Sequence, residues 1–158
     1  MTQASLSSAG STQNQFSAIG NASLAPPLIK TKSIITVVYA SNAFTVNLHD
    51  SGCVYLVPAN GSNATINLPA PASCPMGTNY KFIFNASATH TTAFTSATAS
   101  KIYGLAVSPQ NATTYHAYSG ATTATASASV VTGDSADFWT DQTNWYINAQ
   151  TQANTTWS

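Results

Sequence analysis

The chain is 158 residues long, and its fixed charges are four Lys and four Asp, with no Arg and no Glu. Charged residues make up 5% of it, against about 25% in an ordinary soluble domain. This excludes the basic stripe that nucleic-acid binding rewards, as well as the charged polar faces of coiled coils and membrane-surface helices. No nucleic-acid or membrane partner is therefore expected.

Ala, Thr, Ser and Asn supply 82 residues, so hydroxyls and amides must form most of the surface. Net charge is zero, and three Trp, seven Tyr and six Phe are available for a core. That combination argues against disorder and for one domain with an economical interior.

Residues 1–32 read as an extended N-terminal arm. They show neither helical nor strand periodicity, and Pro26-Pro27 stiffens their end. Phe16 and Ile19 are the expected pegs by which such an arm would order on a neighbouring subunit. The first residues lack a basic stretch followed by an apolar run, so a secretory signal is not expected.

From Ser33 the period becomes 2. Segment 33–40 is β-branched and aromatic, and in 44–48 Phe44, Val46 and Leu48 share one face. The apolar run 53–57 is followed by Asn60-Gly61 and by 64–68, which predicts a hairpin. A Pro-rich loop leads to 79–85, with Tyr80, Phe82 and Phe84 on one face.

Residues 86–100 are too polar to assign. Strand signal returns at 101–107 and weakly at 113–118. In 123–131 the small residues Ala124, Ala126 and Ala128 alternate with Thr and Ser, which favours a strand over the helix that alanine content alone would suggest. A last pair, 136–140 and 144–149, flanks Asp141-Gln142-Thr143. The expectation is about nine short strands in an all-β fold: a single antiparallel β-sandwich, jelly-roll-like or a related barrel, over residues 33–158.

Residues suited to chemistry are scarce. His49 and Asp50 would point to opposite faces of a strand, no G-x-S-x-G elbow occurs, and His49, His90 and His116 are isolated. No catalytic residue, resident metal or cofactor is assigned, and an enzyme is not expected. Asp134, Asp137 and Asp141 cluster in sequence and could hold Ca²⁺, although their spacing departs from an EF-hand loop. Cys53 and Cys74 admit either a disulfide or two buried thiols. Trp139, Trp145 and Tyr146 could stack on sugar rings, or could equally pack in the core or in a subunit contact.

Two stretches carry a family likeness. Thr65-Ile66-Asn67-Leu68-Pro69, a small-residue loop and Gly77-Thr78-Asn79-Tyr80-Lys81-Phe82 form the first. Residues Gly133 to Ile147, with their Gly-Asp opening and Asn144-Trp145-Tyr146 ending, form the second. Together they resemble the virion decoration, head-fibre and tail-fibre β modules of tailed bacteriophages and minor capsid proteins of large DNA viruses. Gln142 stands where that pattern usually has Gly, which predicts a different turn.

The resemblance implies a non-enzymatic structural virion protein located at the capsid surface or in a fibre. It would be a capsid decoration or cement subunit, a homotrimer in contact with the major capsid protein or other virion proteins. The small-residue face at Ala124, Ala126 and Ala128 would then admit a symmetry mate. The alternative is a fibre-tip or carbohydrate-binding β module that uses the C-terminal aromatics.

Overall fold

A computed structural model describes residues 33–97, 99–108, 115–152 and 156–158. The expected arm, with Phe16 and Ile19, lies outside the described residues. The described chain is built from strands, with short 3-10 turns at Leu48–Asp50 and Pro71–Ser73.

The strands are β1 (Ile34–Thr36), β2 (Ala43–Thr45), β3 (Val54–Val57), β4 (Ala64–Asn67), β5 (Asn79–Phe84) and β6 (Thr92–Thr95), followed by β7 (Ile102–Val107), β8 (Tyr115–Ala121), β9 (Thr123–Ala126), β10 (Ser135–Thr140) and β11 (Trp145–Gln150). They form a seven-stranded sheet in the order β1-β3-β5-β10-β11-β7-β8 and a four-stranded sheet in the order β2-β4-β6-β9.

The all-β expectation is borne out, but the antiparallel one is corrected, because both sheets are mixed. The first six strands alternate between the sheets, and successive strands within a sheet run parallel: β1 beside β3 beside β5, and β2 beside β4 beside β6. The chain is thus wound back and forth between the two sheets like a flattened coil. Alternating hydrophobicity shows which face of a strand is buried but not which strand lies beside it, so this winding leaves the same period-2 pattern as a set of hairpins.

The predicted hairpin across Asn60-Gly61 is corrected for the same reason. Its two strands, β3 and β4, belong to different sheets. Gly61 does not take the positive φ that a type I′ turn requires, and its N–H is held by the Asn60 side chain at 3.0 Å. A tight reversal occurs instead at Ser41-Asn42, where φ is 50° and 62° and Ala40 and Ala43 exchange backbone hydrogen bonds of 2.8 and 2.9 Å.

The closing pair is a hairpin as predicted, with Ser135↔Gln150 through Thr140↔Trp145 in antiparallel register. It lies in the middle of the large sheet, antiparallel to β5 on one side and parallel to β7 on the other. At that second junction Gly104 has φ 130°, and a Cβ there would collide with the backbone carbonyl of Ile147. Only glycine permits the close approach of β7 to β11.

One core receives side chains from both sheets. Phe94 of β6 meets Phe82 of β5 at 4.9 Å and Phe138 of β10 at 5.0 Å between ring centroids. Tyr55 of β3 stacks on Phe82 at 5.1 Å. Fully burying each such ring contributes about 1.5–3 kcal/mol, so a handful of aromatics stabilises a chain otherwise composed of small residues. Strand β6, where the sequence carried no assignable signal, supplies one of the rings that link the two sheets; Phe44 of β2, 5.6 Å from Tyr55, is another.

Candidate functional site

The closing hairpin is positioned by its turn. Asp141 accepts the backbone N–H groups of Thr143 and Asn144 through Oδ1 at 2.8 and 2.7 Å, an Asx-type turn. Thr140 Oγ1 donates to the Asn144 carbonyl at 2.7 Å and accepts the Gln142 N–H at 3.0 Å.

Gln142 adopts φ 75°, the left-handed conformation that glycine would take most easily. The expectation of a different turn is therefore refined, since Gln142 occupies a glycine-like conformation. Its side-chain amide donates to the Cys74 carbonyl at 3.0 Å. Trp145 Nε1 donates to the Pro69 carbonyl at 3.1 Å. The Leu68-Pro69 loop and the closing hairpin, the two stretches that carry the family likeness, are thereby tied together.

Period 2 then separates the aromatics of the hairpin. Trp145, Ile147 and Ala149 face inward with Ala136 and Phe138. Trp139 is 42% exposed, and Tyr146 is half-buried on the same outer face. Of the three aromatics read either as core or as sugar-stacking residues, Trp145 is a core residue, with 0% exposure, which removes it from the sugar-stacking alternative. Its ring packs against Tyr80 at 5.6 Å.

The outer pair gains a member that the sequence did not single out. Register places Tyr146 beside Trp139 on one side and Tyr103 of β7 on the other. Trp139 and Tyr146 lie 6.0 Å apart between ring centroids at an interplanar angle of 17°, and Tyr146 and Tyr103 lie 6.1 Å apart at 33°. Gly120 of β8, next to the Tyr103 partner Ser119, has φ 85° and lies against the Tyr103 ring.

The result is an aromatic row across β10, β11 and β7, with Asn79 and Ser119 at its ends by register. Tyr103 could not be picked out beforehand because its partnership depends on the parallel pairing of β7 with β11.

Three of the charges around the row, Asp141, Lys81 and Asp137, are engaged. Tyr146 donates its hydroxyl to Asp141 Oδ2 at 2.9 Å. The Asp141 carboxyl lies below its usual range because the Asn144 and Thr143 N–H groups, followed by that hydroxyl, favour its charged form. The same bond pushes the Tyr146 phenol up. In the next row Lys81 and Asp137 form an ion pair at 3.4 Å. Both side chains are well exposed, so the pair contributes about 0–1 kcal/mol.

The Ca²⁺ reading is corrected. Asp134, Asp137 and Asp141 are spread along and beyond β10, and among the described residues no group of three His, Cys, Asp or Glu could hold a metal ion. Asp134 is fully buried and accepts the N–H groups of Val131 and Gln152, so it fastens the entry of β10 to the exit of β11. His49 and Asp50 lie in a 3-10 turn rather than a strand, and Asp50 accepts the Tyr55 hydroxyl at 2.9 Å.

Cys53 and Cys74 are both buried and both free. Burial pushes the Cys74 thiol up, away from the reactive thiolate. Ala124 and Ala126, expected at an assembly contact, are corrected: both are fully buried in the chain's own core, where the four-stranded sheet packs. Ala128 lies beyond the end of β9 and is exposed.

No helix among the described residues is long and apolar enough to cross a membrane. No protein-family model matches the chain, and no curated protein matches it in sequence.

Proposed function

We propose that the chain is a structural virion protein: a non-enzymatic capsid decoration or cement subunit with a two-sheet sandwich architecture, acting as a homotrimer on the shell or in a fibre. Its partners are the major capsid protein or other virion proteins. The observation that carries this reading is the state of the two ends of the large sheet. Ile34 and Val38 at the β1 end and Tyr115 in β8 at the other are each at least 70% exposed.

Strand β8 runs for seven residues without a charge or a proline, and no hydrogen bond to its outer edge is seen among the described residues. Soluble proteins usually guard such an edge with Lys, Pro or a covering segment. The small sheet follows that rule, since Ala126 of its edge strand β9 bridges Trp157 and Ser127 N–H donates to the Thr156 carbonyl at 3.0 Å. Two sheet ends that carry exposed apolar residues and are uncovered among the described residues suit head-to-tail contacts, which form a ring when the rotation closes. A chain with 5% charged residues and no net charge offers little repulsion to such an assembly.

The test is the mass of the purified protein in solution, together with negative-stain images with and without capsids. A trimer that decorates capsids is expected, and Ile34→Lys combined with Val38→Lys should lower its mass. A monomer that ignores capsids would overturn the reading.

A further inference from the structure

Three features narrow what the aromatic row of the large sheet can accept. The first is width. The row is one residue deep on β10 and β11, with the polar neighbours Lys81, Asp137 and Asn148 one register row away and the Asp141–Thr143 turn at the hairpin end, and it is extended on β7 by the exposed Leu105 beside Asn148. A strip of rings bordered along most of its length by hydrogen-bonding groups fits a thin chain that is apolar on its ring faces and polar on its rim.

The second is charge. Lys81 and Asp137 answer one another, and the Asp141 carboxylate is held by two backbone N–H groups and the Tyr146 hydroxyl. Apart from Lys101, two residues before Tyr103, the charges beside the row are balanced within the face, which suits a ligand that carries little or no charge. The third is continuity, since three rings follow one another at 6.0 and 6.1 Å, with Asn79 and Ser119 closing the ends.

We infer that the Trp139, Tyr146 and Tyr103 row binds an uncharged oligosaccharide laid across β10, β11 and β7. The ring faces take the sugar C–H surfaces, and the flanking amides and hydroxyls take the sugar hydroxyls. This goes beyond the structural role proposed above, because a shell subunit needs no ligand on this face.

Affinity electrophoresis of the full chain tests it, in gels containing soluble galactomannan, xyloglucan, dextran or starch, with alginate as the acidic control. Retardation by at least one neutral polysaccharide and none by alginate is expected. Trp139→Ala and Tyr103→Ala should each weaken binding about tenfold, equivalent to about 1.4 kcal/mol, while Tyr103→Phe should preserve it. Both side chains are exposed, and near-ultraviolet circular dichroism verifies that the variants fold. The inference is overturned if no neutral polysaccharide retards the chain or if both alanine variants are retarded like the parent. It also falls if those variants sediment as smaller assemblies, which would make the row a contact between subunits.

Discussion

On the inner face of the closing hairpin, Trp145 is sealed against Tyr80 and its N–H is satisfied by the Pro69 carbonyl. On the outer face, Trp139 and Tyr146 meet each other and Tyr103 while remaining open to solvent. The residue types match, yet one set is sealed in the core and the other lies on the solvent face. Aromatic content alone therefore says little about role. The side of the pleat and the register of the neighbouring strand decide it.

The largest expected effect is the difference between the two tryptophans. Trp145→Ala should destabilise the protein by about 3–5 kcal/mol, because it opens a cavity and leaves the Pro69 carbonyl without its donor. Trp139→Ala should cost under about 1 kcal/mol, as surface substitutions commonly do. Urea unfolding monitored by circular dichroism measures both, and equal losses would abolish the distinction between the faces.

The hairpin turn should respond at an intermediate level. Gln142→Val places a β-branched residue at positive φ and removes the bond to the Cys74 carbonyl, at a cost of about 2 kcal/mol. Gln142→Gly relieves the backbone but loses the same bond, so it should lie within about 1 kcal/mol of the parent. Thermal denaturation of the two variants side by side would show whether the side-chain bond or the backbone conformation matters more.

The smallest effect concerns pH at the exposed end of the row. The folded Asp141 carboxyl lies below its usual range, so its contribution to the turn is complete above the ordinary carboxylate value. That contribution fades as pH falls through the lowered one. Protection of the Thr143 and Asn144 amides, measured as exchange relative to the intrinsic rate at each pH, should therefore decline on acidification, and Asp141→Asn should remove that decline.

Much of this contrast was legible in the sequence. Ser135, Asp137 and Trp139 alternate with Ala136 and Phe138, and a face that contains Asp137 is the one turned to water. The same rule applied to β11 assigns Trp145 to the face of Ile147 and Ala149, which separates it from Trp139 and Tyr146. Strand β6 escaped notice because Phe94 is the only large side chain in a run of Thr, Ala and Ser. The parallel pairings, and Tyr103 with them, were beyond reach because they join segments far apart in the chain and leave no local turn signal.

The central position of the closing hairpin also bears on how the protein folds. Its register joins Asn79 to Trp139 and Ile102 to Trp145, so the middle of the large sheet is completed by segments that follow β5 and β7 in the chain. Until then β5 and β7 are bare edges in a chain with almost no charge to keep copies apart. Such long-range pairing folds slowly and is exposed to aggregation meanwhile. Yield should therefore depend on concentration and temperature during refolding, with dilute, cool conditions favouring capture of the hairpin by its own chain.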